Sequence, residues 1–479
     1  MIERQGELEV VTRPSESPPA AALPFEAHDG AATVSATAAR EANVVTDSLG
    51  LVIRRLALPA VASNVLMTLF ASVDAFWVGT RIGSDGLAAV STSIFWIWMV
   101  IALAEMVSVG LTAVASRRHG ERRPDEASRV VGEALLFSIA LGIVVGIGGL
   151  LTVDDLFAAM HTPPDVSALG RNYLRVYFLG APLIYGYFAI DAAFRAAGDT
   201  RTPFVLLLVS TAITLVLDPV LILGLGGAPR LGTVGAAIAL VLTRGGAFIA
   251  GVILLTRRRL VRIGVVTWAT IRSITRIGIP TALTGIMFSV IYVALTRTTT
   301  RFGTPALAAL GLGHRVEGWL YTVGVGFGAA AAAIVGQNLG AGQVQRAERA
   351  GWMTLGYATV PAILAAAAAL LIPGRLASLF SNEPAVIDVA ASYLRIGALA
   401  DLTVCAEIVL EGALGGAGHT FPPMLTSTVL TALRIPLAAW AAVTWGVDGI
   451  WWTISLTAAG RGVAMVILWR AGGWKHKSV

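Results

Sequence analysis

A single cysteine in 479 residues, Cys405, excludes a disulfide framework and a thiolate metal centre. It lies in an apolar run, where a thiol packs as a small hydrophobe. Charge is scarce as well: Asp, Glu, Lys and Arg make up 13% of the chain, about half the share of an ordinary soluble domain. The sequence has no Walker-type phosphate loop, no His/Cys metal spacing and no nucleophile elbow. These absences leave ATP hydrolysis and hydrolytic enzymology unsupported, and no cofactor is expected.

What the chain does have is length without charge. Hydrophobic residues make up 56% of it. Apolar runs of about 20 residues, enough to cross a hydrocarbon core of about 30 Å, recur along it. They fall near 56–78, 87–115, 130–152, 173–196, 203–226, 234–256, 277–298, 306–335, 351–372, 391–416, 424–446 and 449–469. The expectation is an all-α integral membrane protein with twelve transmembrane helices. The net charge of +6 resides in alternate loops, at Arg117, Arg118, Arg122 and Arg123, at Arg257, Arg258, Arg259 and Arg262, at Arg346 and Arg349, and at Lys475 and Lys477. Such alternation is the positive-inside pattern. It predicts a cell-membrane protein with both termini cytoplasmic, and it accounts for the basic balance without nucleic acid.

The plan is written twice. Ala-Gly-Asp-Thr-Arg-Thr-Pro at 197–203 returns as Ala-Gly-His-Thr-Phe-Pro-Pro at 417–423. Leu87-Ala88-Ala89, Gly120 and Tyr173-Leu174-Arg175 return, about 220 positions later, as Leu307-Ala308-Ala309, Gly340 and Tyr393-Leu394-Arg395. Pro59 likewise returns as Pro280. A duplicated hydrophobic plan is the usual construction of a two-lobed transporter. The lobes are expected at 51–256 and 276–470, joined by a basic cytoplasmic linker at 257–275. A disordered tail at 1–50, rich in Pro, Ser, Ala and Glu, precedes them, and a short tail at 471–479 follows. Gly324, Gly326 and Gly328 with Ala329–Ala333 mark close helix packing. Trp96, Trp98, Trp445, Trp451, Trp452, Trp469 and Trp474 read as interfacial belts.

Several stretches, in this order on a duplicated frame, resemble the MATE (multidrug and toxic compound extrusion) transporter family. They are Ser72-Val73-Asp74-Ala75-Phe76-Trp77-Val78-Gly79, Gly198-Asp199-Thr200-Arg201-Thr202-Pro203, Leu217-Asp218-Pro219 with Gly235-Ala236-Ala237, and Val335-Gly336-Gln337-Asn338-Leu339-Gly340-Ala341-Gly342. The resemblance spans nearly all of 54–470. It implies two six-helix lobes around a central cavity, alternating access, and export driven by H⁺ or Na⁺.

Ionisable groups inside a span cost several kcal/mol, so each is a candidate. At a rise of about 1.5 Å per residue, Asp74 and Asp218 both fall in the outer half of the N-terminal lobe. Thr214 stands one turn before Asp218 and can offer it a hydroxyl. Asp74 and Asp218 also match acidic positions of the resembling family, which often has Asn where this chain has Ala71 and Thr214, and Thr where it has Leu240. Fewer oxygen ligands argue for H⁺ as the coupling ion over Na⁺ at Asp74 and Asp218. In the second lobe, Glu407 and Glu411 share a helix face, and Arg434 reaches a similar depth on the next span. A Glu–Arg pair between these spans is expected, since sequential spans usually neighbour one another. Asp191 and Arg195 form an i,i+4 pair, Glu105 has no partner in sequence, and His314, Arg315 and Glu317 make a polar stripe. Glu407, Glu411, Arg434, Asp191 and Glu105 are the substrate or gate candidates.

The function expected is ion-coupled antiport of amphipathic or cationic organic compounds by a monomer in contact with membrane lipid. The alternatives are a flippase or exporter for a lipid-linked sugar or one dedicated metabolite and, more remotely, a polytopic membrane enzyme.

Overall fold

The structure, a computed structural model, describes residues 43–81, 84–159 and 164–477, with side chains at 70–81, 84–88, 91–92, 94–95, 159, 289, 293 and 304 left out. Residues 1–42 of the expected tail lie outside this description. The helices run in chain order as α1 (Leu49–Arg81), α2 (Ser84–Gly120), α3 (Pro124–Ala159), α4 (Pro164–Ala196), α5 (Arg201–Leu223) and α6 (Thr233–Arg257) in the first half. The second half holds α7 (Trp268–Thr300), α8 (Thr304–Gly340), α9 (Val344–Leu371), α10 (Pro373–Ser378), α11 (Pro384–Ala398), α12 (Asp401–Gly416), α13 (Phe421–Ala432) and α14 (Arg434–Ala471).

Ten of the described segments are long and apolar enough to cross a membrane. The last of them, Phe421–Ala471, is 51 residues long and counts twice, because Gly446, with φ 64, reverses the chain within it. Helices α11 and α12 together supply the remaining crossing, interrupted at Leu399 and Ala400. The twelve expected spans are therefore present, six to a half, and most run several residues beyond the apolar stretch. Non-helical chain links the halves at 258–267, and 268–275 of the expected linker is already helical in α7. Glu133 of α3 holds the start of α7, accepting hydrogen bonds from the Thr267 backbone N–H at 2.9 Å and its hydroxyl at 2.7 Å.

The repeated Gly-x-Thr turns solve a problem set by proline. Pro59 in α1 and Pro280 in α7 carry no N–H, so each leaves helix carbonyls short of a donor. The Thr200 hydroxyl donates to the Leu56 carbonyl at 2.8 Å, and the Thr420 hydroxyl donates to the Ile277 carbonyl at 2.7 Å. Both acceptors lie three residues before the proline, next to the carbonyl four residues back that loses its own donor, and the Thr200 hydroxyl also stands 3.4 Å from that carbonyl of Arg55. Beside Thr200, the Asp199 carboxylate accepts from the backbone N–H groups of Arg201 and Thr202, each at 2.9 Å, and pairs with Arg258 at 2.6 Å.

The two halves meet backbone to backbone at the end of the bundle that carries most of the arginines. A Cβ on Gly120 would run into the Gln337 carbonyl, and one on Gly340 would run into the Arg117 carbonyl. These are the same contact seen from both copies of the repeat. One turn earlier, a Cβ on Gly336 would strike Ser116. The Gln337 side-chain amide donates to the Ala196 carbonyl at 2.7 Å, tying α8 to the end of α4. Each lobe's first helix also leans on the other lobe. Val52, Ile53 and Leu56 of α1 share a core with Ala330, Ile334 and Val335 of α8, while Ile274 and Ile277 of α7 share one with Met106, Leu111 and Val114 of α2.

Both described termini cover this basic end. Val44, which the sequence places in the tail, is buried, and its carbonyl accepts from Arg346 and Asn338 at 3.3 and 3.5 Å. At the other terminus Lys475 pairs with Glu348 at 2.7 Å, and Arg117 donates to the Lys477 carbonyl. The tryptophan expectation needs correction. Trp98 and Trp445 are exposed, but Trp451, Trp469 and Trp474 are fully buried, the last two stacked with centroids 4.0 Å apart. A tryptophan near a span end reads as interfacial in sequence, but here the terminal turn after Gly472 folds the chain back and covers Trp469 and Trp474, while Trp451 packs edge-on against Tyr393 in the C-terminal core.

Gly340→Ala should lower thermal stability by about 2 kcal/mol or more, since overpacking against backbone has no rotamer escape. Gly356→Ala, with nothing within 4 Å of its Cβ position in α9, should be neutral or slightly stabilising. Detergent-solubilised melting curves of the two variants provide the comparison.

Candidate functional site

The N-terminal site grows out of the sidedness of α5. Its buried residues include Ser210, Thr211, Thr214 and Asp218, at helical spacing on one stripe, while Val205, Val209, Ile213 and Val216 are exposed. A helix with its polar stripe inside and aliphatics outside suits lipid surroundings. Asp218 is completely buried. The Thr214 hydroxyl is engaged away from it, 2.8 Å from the Ser210 carbonyl and 2.8 Å from the Thr243 hydroxyl of α6. Back-bonding of this kind to the preceding turn is the common fate of a threonine within a helix. Asp74 lies in α1, but its side chain is outside the described residues.

Between the lobes, the expected Asp191–Arg195 pair forms at 3.0 Å. Arg195 reaches on to donate to the Ser108 hydroxyl of α2 at 2.9 Å. The Arg244 guanidinium lies 5.1 Å from the ring centre of Tyr187. Glu105 of α2 is exposed, yet its electrostatic partners are Arg195 of α4 and Glu411 of α12. Tyr321 of α8, 57% exposed, lies within electrostatic range of Glu105, Glu407 and Glu411. Where α2 meets α12, the Cβ position of Gly415 lies 3.7 Å from Val109. Glu105 and Glu411 each stand one turn before that contact on helices of the same direction. The structure therefore brings these two candidates together, one from each lobe.

The pairing expected in the C-terminal lobe is different from that found. Glu407 does not pair with Arg434; it pairs with Arg461 of α14 at 3.2 Å, both side chains being buried. Arg434 donates to the Thr457 hydroxyl at 2.7 Å and to the Ile454 carbonyl at 3.3 Å. The reason is topological: the last span, which supplies Arg461, Thr457 and Ile454, packs against both α12 and α13 and reaches each charge first.

Sequence reasoning missed a third group. The Tyr393 hydroxyl donates to Glu317 at 3.0 Å, and His314 lies 3.5 Å from the same carboxylate. The rings continue from Tyr292 through His314 and Tyr393 to Trp451, with centroids 4.5, 5.9 and 4.8 Å apart. His314 and Glu317 were legible as a stripe. Tyr393 was visible only as a repeated residue with no assigned task. Among the described residues no group of three or more His, Cys, Asp or Glu side chains could hold a metal ion.

Comparison with known proteins comes from three directions. The MatE family model matches twice, at 59–220 and at 280–440, reproducing the internal repeat. A probable multidrug resistance protein of Bacillus subtilis, YoeA, is 27% identical over 79% of this chain and 84% of its own length. An FAD transporter of Shewanella oneidensis is 26% identical over 88% of this chain and 94% of its own. Among solved structures, a MATE in the straight conformation superposes with a TM-score of 0.83 at 23% identity, covering 90% of this chain and 98% of that one.

Arg461→Gln should cost about 3–5 kcal/mol by stranding Glu407 in the interior, and adding Glu407→Gln should restore much of it. Thermal melts of the two single variants and the double form the cycle; strict additivity would rule out the pair as a coupled unit.

Proposed function

The chain belongs to the MatE family of membrane transporters, and from that premise we propose that it exports organic cations and amphipathic compounds in exchange for H⁺. It is not an enzyme. The observation that carries the reading is the sidedness of charge between the lobes. Glu105 is exposed and Glu411 partly so, and the half-buried Arg195 is paired with Asp191, whereas the cations Arg244, Arg434 and Arg461 are buried. Space between the lobes thus presents carboxylates and an aromatic hydroxyl, the chemistry that holds a positively charged, partly apolar guest. A flippase for an anionic lipid-linked sugar would need the guanidiniums turned toward that space. Here Arg461 is neutralised by Glu407, and Arg434 is engaged by Thr457 and Ile454.

In this reading the basic end is cytoplasmic, following the distribution of arginine. The backbone crossing of α2 and α8 then seals the lobes on the inner side. Uptake of H⁺ at the buried Asp218 stripe and at Asp74 favours release of substrate, and loss of H⁺ on the other side resets the cycle. The Thr214 hydroxyl is already engaged by the Ser210 carbonyl and the Thr243 hydroxyl, and Ala71 and Leu240 bring no side-chain oxygen, which favours H⁺ over Na⁺ because a hard cation needs several oxygen ligands. The small-molecule exchange needs no cofactor, and a single chain carries both lobes.

Efflux from proteoliposomes under an imposed pH gradient or Na⁺ gradient separates the coupling ions. We expect transport of a fluorescent organic cation with the pH gradient alone. Asp218→Asn should reduce gradient-driven efflux at least tenfold while leaving the protein folded. Wild-type rates in that variant would remove Asp218 from the coupling site.

A further inference from the structure

We propose that the foot of α7 binds one anionic phospholipid of the leaflet at the basic end. The site is a cleft of about 420 Å³ lined by Trp268, Ala269, Arg272, Ser273 and Arg276. Trp268, Arg272 and Arg276 follow at steps of four, and Ile279 and Leu283 continue the same face. At 100° per residue these five side chains fall in a sector of about 80°. The stripe therefore has a basic, aromatic foot and an aliphatic continuation into the membrane. Trp268 is 75% exposed, Ile279 45% and Leu283 44%, so the whole stripe faces outward.

Several cations at this end are already held by carboxylates. Arg118 and Arg123 pair with Glu121 and Glu126, Arg258 pairs with Asp199, and Lys475 pairs with Glu348. Among the described residues, no carboxylate pairs with Arg272 or Arg276. Two neighbouring unpaired guanidiniums match the fork of a phosphate diester. The indole of Trp268 sits where a ring with one apolar and one wet edge is favoured, at the headgroup level. Acyl carbons then have Ile279 and Leu283 to lie against, which free phosphate cannot use. Ile263 and Val265, 67% and 87% exposed in the inter-lobe chain, extend the apolar surface beside the cleft.

Occupancy would bear on the lobe contact. Helix α7 is packed backbone-close on α2, where a Cβ on Gly110 would meet Ile274 and one on Gly278 would meet Met106. A lipid held at Arg272 and Arg276 thus sits on the helix that joins one lobe to the other.

The test is native mass spectrometry of the full-length protein in detergent, titrated with dioctanoyl phosphatidylglycerol, dioctanoyl phosphatidylcholine or inorganic phosphate. The wild type should retain one more phosphatidylglycerol than Arg272→Gln/Arg276→Gln, with affinity for that lipid falling about tenfold in the variant. Arg272→Lys/Arg276→Lys should keep only part of the binding, because an ammonium keeps the charge but lacks the guanidinium fork, and the single Arg276→Gln should fall between the wild type and the double Gln variant. Equal retention of phosphatidylglycerol by the wild type and both Gln variants would overturn the site. So would equal retention of phosphatidylcholine by the wild type, or full competition by millimolar inorganic phosphate, which would mean that the acyl contacts contribute nothing.

Discussion

The close approach of α2 and α8 governs the rest of the molecule. Two helices of about the same length, one from each copy of the repeat, cross with glycine against carbonyl on both sides, at Gly120 with Gln337 and at Gly340 with Arg117. Inside a bilayer, helices gain nothing from leaving lipid for one another, so association depends on how near the backbones can come. Glycine at the crossing provides that nearness. Around it, each lobe's first helix packs on its neighbour's core, the Gln337 amide caps α4, and both described termini fold over the joint. A contact built this way is either made or broken, because close-packed surfaces do not deform gradually. Alternating access needs such a joint.

The scaffold around the joint is symmetric, and its charges are not. Thr200 and Thr420 do the same work for Pro59 and Pro280. Yet Thr214 and Asp218 in the first lobe correspond to Arg434 and Ala438 in the second. In the first lobe a buried polar stripe runs along α5. In the second, the equivalent helix is interrupted at Leu433, and Arg434 is held by the final span. The ion pair Glu407–Arg461 and the Glu317–Tyr393 hydrogen bond have no counterpart at the matching places of the first lobe. Duplication kept what packs and let the titratable groups diverge.

Much of this was legible in the sequence for a physical reason. Apolar length, arginine placement and repeated Gly, Pro and Thr are local signals, and they fixed the twelve spans, the two lobes and the turns. The partners of charges are not local. Asp191 and Arg195 could be paired because four residues make one helical turn. Glu407 could not be assigned to Arg461, since that depends on which of several helices lies nearest in space. The same limit explains Trp469 and Trp474, buried by a turn that no hydropathy pattern announces. It explains Gln337 too, whose motif was visible while its acceptor, the Ala196 carbonyl, lay in the other lobe.

The account stands or falls on whether the α2–α8 joint must open. The only native cysteine, Cys405, is buried, so introduced cysteines face no competing thiol. A Cβ on Gly336 would lie 3.0 Å from the Ser116 Cβ, close to the separation of about 3.5–4.5 Å that a disulfide spans. Efflux by Ser116→Cys/Gly336→Cys in proteoliposomes, before and after mild oxidation, is the direct measurement. Transport should stop on oxidation and return with reductant. Undiminished efflux from fully cross-linked protein would contradict the claim that the lobes part at this joint during transport.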